Sequence, residues 1–227
     1  NETTCKSCGG FKAASGEAVR SQSQERRAEQ KDDFVKQKSF RTGGRKMDLG
    51  LKDKVVLVTG STKGLGKAIA ELIAQEGGIP VVTGRREKEV HEIMMELREK
   101  YQDERIQGYC VDFSELSSVD FIFDVIKKDL GSIDVLINNA GIWPTAYVVD
   151  MKPEDFERTI RVNLEVPYLL CQKFVQEKIA AQQKGKIVNI VSQAAFHGST
   201  TGHAHYAASK AGLVSFSISL AREVAKY

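Results

Sequence analysis

From Lys54 onward, short apolar runs alternate with longer stretches in which apolar residues recur at helical spacing. Val55 to Val58 is a β-branched run closed by Thr59 and Gly60, which predicts a strand running into a turn. Leu65 to about Gln75 follows with helical periodicity. Ile79 to Thr83 reads as a second strand, and Glu87 to Tyr101 as a charged amphipathic helix. Ile106 to Val111 predicts the third strand, with a helix over about Glu115 to Leu130. Ile133 to Ile137 predicts the fourth strand. A long helical region from Pro153 to about Gln183 precedes a fifth strand over Lys186 to Val191, and a last helix runs from about Tyr206 to the end. Nearly continuous apolar strands alternating with helices of this length predict an α/β fold, a doubly wound parallel sheet with helices on both faces. No internal repeat appears.

Residues 1–46 break this pattern. They contain no Leu, Ile, Met or Pro, and only five residues from Val and Phe. Such a segment cannot bury enough apolar area to offset its ordering entropy, which predicts a disordered basic extension. Met47 opens Met-Asp-Leu-Gly directly before the first strand and reads as a natural start. Of the net charge of +3, the extension carries eleven Lys or Arg against six Asp or Glu, and the remainder 22 against 24. The basic balance therefore belongs to the extension, and the body shows no nucleic-acid footprint.

No apolar run approaches the roughly 18 residues that span a bilayer, and the N-terminus lacks the apolar stretch of a secretory signal. Cys5 and Cys8 form a lone C-x-x-C that supplies only two of the four ligands a structural zinc needs, so no metal site is predicted. Cys110 and Cys171 stand alone in apolar segments and read as buried reduced thiols. A cytoplasmic, reducing compartment follows.

The candidate chemistry sits at strand ends. Thr59-Gly60-Ser61-Thr62-Lys63-Gly64-Leu65-Gly66 lies between the first strand and first helix, where a dinucleotide pyrophosphate would sit against free helix N–H groups. A P-loop fails: Lys67 is followed by Ala68, not Ser or Thr. Tyr206 and Lys210, four residues apart, share a helix face and follow Ser192.

The Thr-Gly-x-x-x-Gly-x-Gly spacing, Asn138-Asn139-Ala140-Gly141, Asn163 within Val-Asn-Leu, Ser192, and Tyr206 with Lys210 resemble, in this order, the classical short-chain dehydrogenase/reductase family. The resemblance covers residue 47 onward, with a Rossmann-type fold. It implies NADP(H) held by Gly60, Ser61, Thr62, Lys63, Gly64, Leu65 and Gly66, by Asp112 and Phe113 at the adenine, and by Asn139, Ala140 and Gly141. Arg85 stands where NAD-preferring relatives carry Asp. With Arg86 and Lys63 it would attract a 2′-phosphate, which points to NADP(H).

The resemblance also implies the catalytic set. Tyr206 delivers the proton and, with Lys210, contacts the nicotinamide ribose. The Lys210 ammonium lowers a tyrosine pKa of about 10 toward the working range. Ser192 bonds the substrate oxygen, and Asn163 positions a water behind the lysine. Trp143 to Tyr147 would line one wall of the pocket. His203 and His205 would lie in the loop bordering it, with His197 nearby, as substrate contacts or solvated residues.

Relatives continue beyond Tyr227 with two more strands, absent here, which leaves the fifth strand as an apolar edge. Ser-Lys-Ala-Gly-Leu after Tyr206 is similar to the 3-oxoacyl-carrier-protein reductase group. The expected activity is NADP(H)-dependent carbonyl reduction or alcohol oxidation on a small molecule, by a homotetramer when full length. A sugar, polyol or other alcohol dehydrogenase, and a non-catalytic NADP-binding protein, remain as alternatives.

Overall fold

A computed structural model describes residues 48–227. The predicted disorder of residues 1–46, the start at Met47 and the Cys5–Cys8 pair lie outside the described residues.

Five strands form one parallel sheet: β1 (Val55–Val58), β2 (Ile79–Gly84), β3 (Gln107–Cys110), β4 (Val135–Asn138) and β5 (Lys186–Asn189), in the order β3-β2-β1-β4-β5. Successive side chains on a strand face opposite ways, and the core divides accordingly. Val56, Val58, Val135 and Ile137 pack with Ile73 of helix α1 (Gly64–Gln75), while Val82 packs with Val90 and Leu97 of α2 (Glu87–Tyr101). Leu57, Val81 and Leu136 face the other way. They meet Ile122, Phe123 and Ile126 of α3 (Ser118–Leu130) and Leu170 and Phe174 of α5 (Val166–Ala180). Both faces of the sheet are covered, so the central strands are apolar throughout. Truncating Leu57, fully buried here, to alanine would cost about 2–5 kcal/mol.

Local sequence sets the element ends. α2 has Glu87 and Glu89 in its first turn and Arg98 and Lys100 in its last, complementing the helix dipole, and it stops at left-handed Gln102. α4 (Pro153–Ile160) opens on a proline, whose missing N–H is an orphan at that position in any case.

Four expectations need correction. The single helix over Pro153 to Gln183 is three pieces, because a π-helical turn (Arg161–Glu165) separates α4 from α5. A short α6 (Ala194–His197) stands where no element was predicted, and α7 (Ala204–Val224) begins two residues before Tyr206. His205 therefore lies in a helix rather than a loop, and it is buried. Cys110 is exposed rather than buried, because β3 is an edge strand; only Cys171 is the buried thiol. At the other edge, β5 leaves Val188 and nearby Val191 well exposed. Among the described residues, no helix is long and apolar enough to cross a membrane.

Candidate active site

The strand order reverses direction between β1 and β4, so the loops leaving these two strands diverge and open a crevice at their carboxyl ends. Residues 59–66 fill one side of it. Thr59 is the anchor: its Oγ1 accepts from the Asn139 and Ala140 amides, both at 2.9 Å, fastening the end of β1 to the end of β4. Asn139 returns the tie, its Nδ2 donating to the carbonyls of Thr59 and Gly60 at 2.9 and 3.0 Å. Ser61 Oγ donates to Val58 O at 2.8 Å and accepts from the Thr83 amide at 2.9 Å, so the turn is pinned to β2 as well. This fold-back leaves no room at Gly66: a Cβ there would stand 2.5 Å from Asn139 Nδ2 and closer still to Gly60 O. Gly60 and Gly64 have φ of +66° and +56°, and around Gly64 the space is open. No side chain caps α1 and no acidic residue sits in its first turn, so its leading N–H groups are left to an anion. Leu65 in this first turn is 57% exposed.

On the β2 side, Lys63 is the N-cap of α1 and Arg86 the N-cap of α2. Arg86 is ion-paired with Glu89, whereas Arg85 acts on Asp112 through space. Burial would raise the Asp112 carboxyl, but donation from the Ser114 amide and hydroxyl, and Arg85 nearby, carry it below the ordinary value. Both Ser114 bonds fall on Oδ1, at 2.9 Å each, and Oδ2 has no hydrogen-bond partner among the described residues. The Phe113 ring is in the core at 5% exposure, leaving only its backbone to a ligand.

The π-helical turn carries Asn163, fully buried. Its Oδ1 accepts from the Ile142 amide and its Nδ2 donates to the Ile142 carbonyl, both at 2.8 Å, and Nδ2 also reaches Ser209 Oγ at 3.1 Å. The side chain is thus fully used in holding the chain after β4. Pro167 has no N–H, so the α-helical bond to the Asn163 carbonyl four residues before cannot form. Wide turns of this kind recur at functional sites.

α7 brings in the rest. Lys210 is 4% exposed, and its Nζ donates to Ile190 O at 2.7 Å. Burial lowers its pKa from 10.5 to about 8. Gly141 lies against both groups: a Cβ there would stand 3.3 Å from Asn163 Oδ1 and 3.7 Å from Lys210 Nζ. Tyr206 is half-buried, and its hydroxyl has no hydrogen-bond partner among the described residues. Ser192, also half-buried, accepts from the Ala194 amide at 3.2 Å, which leaves its own proton free to donate. Trp143 stands 69% exposed in the loop after β4. The structure therefore gathers Asn163, Lys210 and the Asn139–Gly141 segment into one contact network, with Ser192 and Tyr206 on the adjoining segments.

Sequence reasoning placed Thr59 in the glycine turn without its anchoring role, and missed Thr83, Ser209 and the Ile142 and Ile190 backbone groups. Ser209, 3.1 Å from Asn163 Nδ2, stands inside the Tyr206–Lys210 motif. The backbone partners leave no mark on side-chain identity.

A parallel doubly wound sheet with a glycine turn at its switch point defines a Rossmann-type nucleotide-binding protein. The short chain dehydrogenase family model matches residues 54–227. The chain belongs to the short-chain dehydrogenase/reductase family of oxidoreductases. It is 37% identical over 181 residues to the 3-oxoacyl-(acyl-carrier-protein) reductase FabG of Aquifex aeolicus, covering 79% of this chain and 71% of that one. Among solved structures it resembles L-sorbose reductase from Gluconobacter frateurii, complexed with NADPH and L-sorbose (TM-score 0.75, 30% identity, 79% and 67% of the two chains). A metagenomic short-chain oxidoreductase in complex with NADP gives a TM-score of 0.71 at 33% identity, over 78% of both chains.

Proposed function

We propose that the chain is an NADP(H)-dependent oxidoreductase that reduces a carbonyl, or oxidises the corresponding alcohol, with Tyr206 as proton donor. The observation that carries this reading is the junction of α7 with the chain after β4, where Lys210, Asn163 and Gly141 converge beside the glycine turn. The cofactor fits the residues present. The uncapped start of α1 and the open space at Gly64 suit a pyrophosphate, the unpartnered Oδ2 of Asp112 suits the adenine amino group, and Arg85 with Lys63 suits a 2′-phosphate. When bound, NADPH supplies a hydride to the carbonyl carbon.

The chain's residues handle the oxygen. Ser192 donates its free proton to the carbonyl oxygen, drawing negative charge toward it as the bond polarises. The Tyr206 hydroxyl, with no protein acceptor of its own, transfers its proton to that oxygen. Lys210 uses one of its three N–H donors on Ile190 and keeps two for a ribose hydroxyl and the replacement proton. The Asn163 carbonyl, to which Pro167 cannot donate, would hold a water behind the lysine.

A 3-oxoacyl thioester is the substrate favoured by similarity to the Aquifex aeolicus reductase, and a sugar or polyol the alternative suggested by the sorbose reductase. Exposed Tyr168 on α5 and Ile218 on α7 support a homo-oligomer. Two free thiols among the described residues accord with a reducing cytoplasm. The test is oxidation of NADPH, followed at 340 nm, against acetoacetyl thioesters, simple ketones and ketoses, with NADH in parallel. A preference for NADH would overturn the cofactor assignment. A second reading is NADP binding without turnover. Retained NADPH binding with no oxidation across the panel would establish it.

A further inference from the structure

The loop after β4 has no regular structure between Asn139 and Tyr147 and presents Trp143, Tyr147, Val148 and Val149 to solvent. Asn163 holds its start at Ile142, and beyond that residue it is tied to the loop that precedes Tyr206. His203, the N-cap of α7, stands between them. Its Nε2 is 3.2 Å from Thr145 Oγ1, and its Nδ1 is 3.1 Å from Thr201 O and 3.2 Å from Thr200 Oγ1. A carbonyl can only accept, so Nδ1 carries a proton, and Nε2 pairs with the Thr145 hydroxyl. The Ala146 amide adds a bond to Gly202 O at 2.9 Å. Gly202 has a φ of +79°, and a Cβ there would stand 2.9 Å from Thr145 Cγ2, so the two loops touch as well as bond. Among the described residues, 143–149 bond outside their own loop only through Thr145 and Ala146.

We propose that His203 is a positioning residue: a latch that joins the Trp143 loop to the start of α7 and fixes the substrate-facing wall relative to Tyr206. The ring spans the gap because its two nitrogens point in opposite directions, one to each loop. The substrate part of this assignment rests on the proposed carbonyl chemistry; the latch itself does not.

Trp143 is the single tryptophan of the chain, two residues from Thr145, which makes it a reporter for the loop. Thr145→Val removes the hydroxyl at nearly constant shape on an exposed loop, and His203→Ala removes the ring. Thr145→Ser and His203→Gln keep a hydrogen-bonding group in reach. Time-resolved anisotropy of Trp143 in the cofactor-free 227-residue protein should show a larger fast depolarisation in Thr145→Val and His203→Ala, no further increase in the double variant, and near-native decay in Thr145→Ser and His203→Gln. With ethyl acetoacetate as carbonyl probe, KM should rise about fivefold in the two disruptive variants, the size of one net hydrogen bond, with kcat and NADPH affinity nearly unchanged. Unchanged anisotropy in Thr145→Val and His203→Ala, or strictly additive effects in the double variant, would sink the latch. An altered anisotropy in a chain that turns over no carbonyl would uphold the latch and overturn the proposed function.

Discussion

Asn163 clasps Ile142 by both backbone groups, accepting from its N–H and donating to its C=O at 2.8 Å in each case. A side-chain amide that pairs with a peptide unit in this way replaces a missing strand neighbour. It carries β4's chain onward in an extended course past Gly141. Asn163→Ala should therefore cost about 1–3 kcal/mol, since it strands two part-buried backbone groups. Urea denaturation measures this, and a loss below about 0.5 kcal/mol would show the clasp to be incidental.

Lys210 should imprint a pH dependence on stability. Its amine titrates at 10.5 when unfolded and at about 8 when folded. Between these values the unfolded chain binds the extra proton, so stability climbs as pH rises through the window and is level below it. The stability of the cofactor-free protein minus that of Lys210→Met should increase by about 2–3 kcal/mol from pH 7.5 to 10.5. A flat difference across that range would contradict the desolvation of Lys210.

Gly66 and Gly64 are both glycines of one turn, yet they should respond differently. Gly66→Ala forces a methyl onto Asn139 and Gly60 and should cost about 3 kcal/mol. Gly64→Ala meets no neighbour and carries only the strain of its positive φ, about 1 kcal/mol. Thermal unfolding of the two variants ranks them, and NADPH titration should show weakened binding in both. The reverse ranking would contradict the packing described.

Arg85 should select the phosphorylated cofactor. Arg85→Asp removes a charge-assisted contact worth about 1.5–3 kcal/mol, so NADPH affinity should fall at least tenfold while NADH affinity holds or improves. Fluorescence titration with each dinucleotide reads both. Equal losses for the two would assign Arg85 to general electrostatics.

His205 is 1% exposed, and neither ring nitrogen has a partner among the described residues. A buried unpaired donor or acceptor costs about 1–3 kcal/mol, so His205→Leu should raise stability by about 1 kcal/mol. A lower melting temperature in the variant would mean that the ring is bonded in solution.

How much of this was legible in the residues varies with the kind of interaction. Val55–Val58 and Glu87–Tyr101 were plain, because apolar periodicity and charged first and last turns act locally. The π-helical turn at Arg161–Glu165 was not: Ile160 and Leu164, four apart, continue helical spacing, and the break depends on the Asn163 clasp on distant Ile142 and on Pro167. The glycine turn and the Tyr206–Lys210 pair were recognisable as motifs. The anchoring roles of Thr59 and Ser209 within them were not, since those roles come from partners that only the folded sheet brings near. The misreading of Cys110 has the same origin: strand position in a sheet is a property of topology, not of the strand.

The tie between Thr59 and Asn139 spans 80 residues of chain. The ties to β2 hold the glycine turn from one side, but the crevice is closed only once β4 has docked beside β1. Contacts of such long sequence separation form late and slowly. Dinucleotide affinity should therefore serve as a reporter of completed folding: during refolding, its appearance should trail the recovery of helical signal and coincide with closure of the sheet.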